Sequence, residues 1–199
     1  MRTARAFALM MATAALLFGA AASAQPEKSA GNAEAAAMDQ MMAMMQPGPE
    51  HKVLEKLVGK WSAVVKMWMD PAGPPMESGG TMEYVSVMDG RYLHGVYKGT
   101  VMGMPFEGMS VDGYDRYKKQ YFSLWFDNMG TGFLDQRGTC SPDGKVMTLR
   151  GMMFNPQLGR ETPVRTVNTW LDDNTLRYEM FETKDGKEVK SMEITYTRM

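Results

Sequence analysis

The sequence predicts an all-β protein: a single closed antiparallel up-and-down β-barrel of about ten strands, with a short N-terminal helix at one end. Three observations support this fold class. Nine turn signals divide residues 60–199 into segments of strand length. Several of these segments alternate apolar and polar residues with the period of a half-buried strand. No segment after Gly59 has the extended periodicity of a long helix.

Residues 1–24 have the composition of a secretory signal peptide. Arg2 and Arg5 make the beginning positive, residues 6–22 are apolar and uncharged, and Ala22-Ser23-Ala24 has the small-x-small form that signal peptidase cuts. We therefore expect cleavage after Ala24 and a periplasmic or secreted location, with a retained N-terminal anchor as the alternative. Cleavage leaves a charge of about −3. This charge argues against a nucleic-acid partner, which requires a basic surface.

Residues 25–48 are predicted to form a methionine- and alanine-rich tether, flexible or helical. Met38, Met41, Met42 and Met45 recur with the spacing of one helix face. Thioethers are soft ligands, so these four residues are weak candidates for Cu(I) binding, and methionine also consumes oxidants by reversible sulfoxide formation. The other interpretation is an amphipathic helix or a disordered tether that touches the barrel.

The barrel domain is predicted over residues 49–199 and begins with a short helix. Pro49 suits the first helical position, where its missing N–H costs nothing, and Gly59 ends the helix. The first strand follows directly. Its apolar face consists of Trp61, Ala63, Val65, Met67 and Met69, which alternate with Lys60, Ser62 and Lys66.

Turn residues separate the remaining strands at short intervals. The signals lie at 71–75, 89–90, 99–104, 115–119, 128–130, 142–145, 155–160, 172–174 and 185–186. Two late strands have clean apolar faces, one formed by Leu176, Tyr178 and Met180 and the other by Met192, Ile194 and Tyr196. Hairpin-length links favour an up-and-down meander, and closure removes the exposed edges of an open sheet.

A membrane-spanning barrel is the rival architecture. It requires an outward apolar band, whereas the polar positions of these strands include Lys66, Glu83, Arg177 and Glu193. Such charges facing lipid would be costly, so we do not expect an integral membrane protein.

Two resemblances support the barrel. Gly59-Lys60-Trp61, after a short helix, resembles the G-x-W opening of lipocalins and related calycins, and this resemblance implies that Trp61 packs at the closed end of the barrel near that helix. The chain also resembles the bacterial domain-of-unknown-function family 1579. The matching stretches are 49–52, 67–69, 102–108, 126–132 and 192–197. This family supplies no catalytic residues to carry over.

Motifs of catalysis are mostly absent from the sequence. It contains no G-x-S-x-G elbow, phosphate-binding glycine loop or dinucleotide fingerprint. Two histidines and one cysteine cannot fill a zinc site of the usual nitrogen and sulfur type. Cys140 is interpreted as a structural thiol, and His51, in the first turn of the short helix, as a neutral, exposed or capping residue. No catalytic residue or cofactor is predicted, although acid–base chemistry by carboxylates stays open.

The predicted barrel interior provides candidate ligand-binding residues. They are Trp68, Tyr84, Tyr92, His94, Trp125 and Met180. His94 lies mid-strand on the face of Tyr92. If that face points inward, His94 could orient a ligand or bind a haem iron; otherwise it is an ordinary core or surface histidine. Trp68 and Trp125 lie near strand ends that could share one rim, although such residues also serve as plain wall residues.

The leading functional hypothesis is an exported barrel that binds a small apolar or amphipathic molecule in its cavity. The alternatives are methionine-based buffering of Cu(I) or oxidants, a structural or partner-binding role in the envelope, and an enzyme acting on a hydrophobic substrate inside the cavity. Enzymatic activity is the less favoured interpretation because no reaction motif supports it.

Overall fold

The computed structural model describes residues 27–156, 158–184 and 186–199, with side chains described from residue 31 onward. Two helices precede ten strands along these residues. The helices are α1 (Glu27–Met44) and α2 (Pro49–Glu55); the strands are β1 (Gly59–Met67), β2 (Met76–Val87), β3 (Tyr92–Val101), β4 (Met104–Asp115), β5 (Gln120–Asp127), β6 (Leu134–Cys140), β7 (Val146–Asn155), β8 (Arg160–Asp172), β9 (Thr175–Lys184) and β10 (Lys187–Arg198). The predicted signal peptide lies outside the described residues.

The strands form one closed antiparallel barrel, which confirms the predicted fold class. Each strand pairs with its neighbours in sequence, and β1 pairs with both β2 and β10 to close the cylinder. In the closing pair, Trp61 lies opposite Arg198 and Met67 lies opposite Met192. Closure satisfies the backbone groups that two edge strands would otherwise expose.

Most of the predicted turns coincide with the hairpin links between the observed strands. Gly90, Gly144 and Gly186 have positive φ, as the turn glycines require. The predicted turn at 99–104 is too long, because β3 continues to Val101 and β4 begins at Met104. Met102 and Gly103 alone make the link, both at positive φ, which is the primed turn that matches strand twist. Asp185, part of the last predicted turn, lies outside the described residues.

The two ends of the barrel differ in how they are covered. Because strand direction alternates, the loops after β1, β3, β5, β7 and β9 gather at one end, here called the open end. The loops 88–91, 116–119, 141–145 and 173–174 gather at the other, called the closed end. Helix α2 packs there against β3 and β4, and the Tyr121 hydroxyl donates to the Glu50 carbonyl at 3.2 Å.

The core lies on the inner faces of the strands. One cluster consists of Trp61, Ala63, Val65, Met82, Tyr97, Leu176, Ile194 and Tyr196. A second cluster, consisting of Leu54, Leu93, Tyr121 and Leu149, joins α2 to the barrel. The predicted apolar faces of β1, β9 and β10 therefore point inward. Met69 is the exception, since β1 ends at Met67 and Met69 is 61% exposed.

Trp61 fastens α2 to the barrel, as the lipocalin resemblance implied. Its ring is 1% exposed, and its indole N–H donates to the Leu57 carbonyl at 2.7 Å. The Arg198 guanidinium lies 4.2 Å from the Trp61 ring and donates to the Val58 and Lys56 carbonyls at 2.9 and 2.7 Å. Three successive carbonyls at the end of α2 thus receive donors from the barrel.

His51 caps the start of α2. The Gly48 N–H donates to its Nδ1 at 3.0 Å, and the His51 N–H donates to the Gly48 carbonyl at 3.1 Å. The ring is buried and meets Tyr114 edge to face. Burial lowers the pKa of His51, which keeps Nδ1 available as an acceptor. The capping interpretation is therefore confirmed, and the exposed one is wrong.

The N-terminal helix spans two compact units of the chain, which divide between Gln40 and Met41. Where the predicted tether is described, it is helical over Glu27–Met44. The side chains of Met38, Met41, Met42 and Met45 are each about half exposed. None of the helices in the described part of the chain has the length and apolar character needed to span a bilayer.

Candidate functional site

The barrel lumen is a cavity of about 610 Å³ that runs along the inner faces of the strands. Leu54 and Leu57 of the α2 segment line it at the closed end, and Met129 and Phe133 line it at the open end. The volume falls within the range of roughly 300–1,000 Å³ that small-molecule sites occupy. The side chains of the barrel therefore leave a hollow rather than a filled core.

Methionine and aromatic side chains form a large part of the wall. The methionines are Met67, Met82, Met129, Met147, Met153, Met180 and Met192. The ring of Phe106 lies between those of Tyr97 and Trp125, with centroids 5.7 and 6.4 Å away. Methionine is unbranched and polarisable, so such a wall adapts to apolar groups of different shape.

Glycines let the larger wall residues approach each other. Gly95 lies between Tyr84 and Ser110 in the hydrogen-bonded ladder, and a Cβ at Gly95 would collide with both side chains. A Cβ at Gly108 would likewise meet the Trp125 ring. These two positions are glycine because the neighbouring side chains occupy the space above them.

One carboxylate, Asp112, lies on the inner wall among hydroxyl groups. The Ser110 hydroxyl donates to its Oδ2 at 2.6 Å, and the Ser123 hydroxyl is a second hydrogen-bond partner. Ser110 is also a hydrogen-bond partner of Tyr84. Protein surrounds Asp112, and the part of its surface that stays accessible faces the cavity.

Burial sets the protonation of this cluster. It raises the pKa of Asp112, and the serine hydrogen bonds offset part of that effect. Burial also raises the pKa of Tyr84, Tyr178 and Tyr196, with the charge of Asp112 contributing in the same direction. The three tyrosines are therefore neutral hydroxyls that face a carboxyl group across the lumen.

Further polar side chains interrupt the apolar wall, among them Gln136, Thr166 and Asp127. The Gln136 amide donates to the Thr166 hydroxyl at 3.2 Å, and both residues are buried. Nearer the open end, Asp127 accepts from the Trp125 indole N–H at 2.8 Å and from the Met129 N–H at 3.0 Å. The second contact fixes the start of the loop that leads to Phe133.

Sequence comparison assigns the chain to a family. The profile of DUF1579, a protein of unknown function, matches residues 46–198 and therefore nearly all of the barrel unit. The chain belongs to the DUF1579 family. A search of the curated proteins returned no match to this DUF1579 chain.

Solved structures similar to the DUF1579 chain are barrels at low sequence identity. Rv2717c from M. tuberculosis is 17% identical with a TM-score of 0.58, and the match covers 77% of this chain and 99% of that one. A redesigned β-barrel, b11L5F_LGL, is 16% identical with a TM-score of 0.40, covering 74% and 95%. The S-type phycobiliprotein lyase CPES from Guillardia theta is 12% identical with a TM-score of 0.49, covering 77% and 98%. The first likeness supports the fold alone.

Three of the six residues proposed from the sequence line the lumen of the DUF1579 barrel: Tyr84, Trp125 and Met180. Tyr92 and His94 do not. Strand alternation decides this, since Leu93 and Tyr97 are buried inside and Tyr92 and His94 therefore point outward. The Tyr92 ring packs against that of Phe122, which also contacts the Arg137 guanidinium. The prediction that His94 points into the barrel is therefore wrong, and so is the prediction of a haem ligand at this position.

Trp68 also lies away from the lumen lining. It follows β1, donates its backbone N–H to the Ser191 carbonyl, and has the Lys190 ammonium 5.2 Å from its ring centroid. Trp68 and Trp125 do lie towards the same end of the barrel, because β1 and β5 both run to the open end. Their side chains point to different faces of the sheet, so only Trp125 lines the cavity.

Sequence reasoning missed the most polar part of the lumen, formed by Ser110, Asp112, Tyr178 and Tyr196. The two tyrosines belong to apolar faces that the pattern identified, so their inward direction was available from the sequence. Ser110 and Asp112 lie in a strand where glycines and polar residues hide the alternation.

Other reactive groups fall outside this cluster. Cys140 lines the closed-end part of the lumen, and burial raises the pKa of its thiol, which keeps it protonated at neutral pH. Among the described residues, histidine, cysteine and carboxylate side chains form no group of three that could hold a metal ion.

Proposed function

We propose that this protein is a carrier that holds one small amphipathic molecule inside the barrel. The supporting observation is a cavity of about 610 Å³ whose methionine and aromatic wall carries a single compact cluster of hydroxyls around Asp112. An apolar wall with a few fixed polar groups is the usual composition of a small-molecule site. The apolar part of the guest would lie against the wall, and its polar part would meet the hydroxyl cluster.

The test blocks the lumen and measures binding of an uncharged apolar fluorophore, N-phenylnaphthylamine. Ser78 lines the cavity on β2, while Thr81 on the same strand is exposed. We expect Ser78→Trp to fill part of the lumen and weaken binding by at least about tenfold, the equivalent of about 1.4 kcal/mol. Thr81→Trp adds the same side chain outside and should bind like the unchanged protein.

Native mass spectrometry of the protein purified from its own cells gives an independent check. A co-purified small molecule that Ser78→Trp excludes would support the carrier function. A protein that neither binds the fluorophore nor carries a guest, or two tryptophan variants with equal affinity, would contradict it.

We further propose that the carrier is exported, on the basis of Arg2, Arg5, the apolar run and the small-x-small sequence ending at Ala24. The intact mass of the protein from a periplasmic or secreted fraction should correspond to a chain beginning at Gln25. A protein that retains residues 1–24 in the membrane fraction would favour the anchor instead.

A further inference from the structure

The charged side chains that line the lumen all have the same sign. They are the carboxylates Asp112 and Asp127, and no lysine, arginine or histidine is found among the described residues that line the lumen. The basic side chains near the same strands form ion pairs outside the barrel, such as Arg137 with Asp135 and Lys98 with Glu107. A negative charge inside the lumen therefore has no counter-charge beside it from the lining residues that the structure describes.

Among the described residues, the groups that interact with Asp112 are neutral hydroxyls. They come from five strands: Tyr84 on β2, Ser110 on β4, Ser123 on β5, Tyr178 on β9 and Tyr196 on β10. Hydroxyl donors stabilise a carboxylate less than an opposite charge does in surroundings of low dielectric. Burial accordingly raises the pKa of Asp112 despite its hydrogen bonds.

Asp127 extends the negative character towards the open end. It lies on β5 four positions beyond Ser123, the ladder partner of Asp112, so both carboxylates belong to the β4–β5 side of the lumen. Trp125 lies between these levels with its indole N–H directed at Asp127. Aromatic faces also attract cations, and Trp125, Phe106 and the three tyrosines supply such faces along the same path.

We infer that the guest of this lumen is a cationic amphiphile, with a protonated amine that pairs with Asp112 and an apolar body that lies against the methionine wall. The inference rests on the proposed carrier function and adds the charge of the guest. An amine would provide the counter-charge that the protein does not, and its N–H donors would meet the tyrosine and serine oxygens. An anionic amphiphile such as a fatty acid would instead place a second negative charge beside Asp112, with no cation in the described lining to receive it.

Three compounds with the same chain and different head groups test this. Decylamine, decanol and decanoate are titrated at neutral pH against N-phenylnaphthylamine bound to the full mature protein. Decylamine should displace the fluorophore at a concentration at least about tenfold below decanol, as expected for a partly buried charge pair. Decanoate should be the weakest of the three. This ranking uses the unchanged protein and does not depend on any variant folding.

The variant Asp112→Asn removes the charge and keeps the shape. It should bring decylamine and decanol within about twofold of each other by weakening decylamine binding, since the ion pair is lost. Asp135→Asn, on the outer face of β6, is the matched control and should preserve the amine preference. In the unchanged protein, the amine preference should also fall in acid as Asp112 becomes protonated, whereas decanol binding should not.

The outcomes separate the two proposals. If the fluorophore does not bind and none of the three compounds is taken up, the carrier function fails. If all three compete equally, if decanoate binds as tightly as decylamine, or if Asp112→Asn keeps the amine preference, the carrier function stands and the cationic guest is wrong.

Discussion

The two ends of the barrel differ in how tightly their residues are packed and in how much apolar surface they expose. At the closed end, backbone carbonyls of the α2 segment receive donors from Trp61 and Arg198, and the Trp61 ring is almost fully buried. At the open end, Phe133 is 63% exposed and Phe154 is 60% exposed, yet both also line the cavity. Tight packing is therefore concentrated at the closed end, and the apolar residues at the open end remain accessible to solvent.

This difference implies that stability and binding can be perturbed separately. Closed-end substitutions remove buried area and hydrogen bonds that hold α2 against the strands. Open-end substitutions remove exposed apolar surface, which contributes little to the free energy of unfolding. The following variants are arranged from the largest expected effect to the smallest.

Trp61→Ala should have the largest effect on stability. It deletes a buried ring and leaves the Leu57 carbonyl without its donor. We expect the free energy of unfolding to fall by about 3 to 5 kcal/mol, which urea denaturation measures directly. A loss below about 1 kcal/mol would mean that the closed end does not hold the fold together.

Arg198→Lys should be the next in size. The planar guanidinium of Arg198 contacts the Trp61 ring and donates to the Lys56 and Val58 carbonyls at the same time. A lysine ammonium retains the charge but cannot make all three contacts together. A loss of about 1 to 2 kcal/mol is expected by the same measurement. Arg160→Lys, at the exposed start of β8 near the open end, is the control and should change stability by less than about 0.5 kcal/mol. Equal effects at both positions would remove the contrast between the ends.

His51→Ala tests the cap of α2 and its pH dependence. The variant should lose about 1 kcal/mol at neutral pH because the Gly48 N–H loses its acceptor. Since burial lowers the pKa of His51 below its usual 6.5, the unfolded chain binds the proton first as the pH falls. The stabilisation is complete above pH 6.5 and is lost as the pH falls through the lowered value.

The pH profile of unfolding tests this assignment. His51→Ala should flatten the loss of stability on the acid side of neutrality. An unchanged slope in His51→Ala would show that the cap is not the group being titrated.

Phe133→Ser should have the smallest effect on stability and a measurable one on binding. The ring stacks on Phe126 with centroids 5.6 Å apart but is mostly exposed, so unfolding should change by less than about 0.5 kcal/mol. Fluorophore affinity should fall by about two- to threefold because the ring lines the mouth of the cavity. A large loss of stability with unchanged binding would reverse the proposed roles of the two ends.

Some inner-face residues could be identified from the sequence, and others could not. The regular alternation in β1, β9 and β10 identifies Trp61, Tyr178 and Ile194 as sharing the apolar side of their strands. In β3 the pattern misleads, because Tyr92 and Val96 are apolar enough to suggest an inner face around His94. There the inner positions include Gly95 and Gly99, whose lack of a side chain hides them from a hydrophobicity pattern.

The amino-acid sequence by itself determined that this chain forms a meander of short strands. Turn glycines, short links and alternating faces are local properties, and each constrains the chain within a few residues. Only the tertiary structure decided what the barrel encloses. Asp112 on β4 faces Tyr178 and Tyr196 because the cylinder closes between β1 and β10 and brings distant strands together across the lumen. A contact across a closed sheet depends on the register of every strand pair and on the direction of every side chain around the barrel. A local sequence pattern does not encode these properties of the whole sheet.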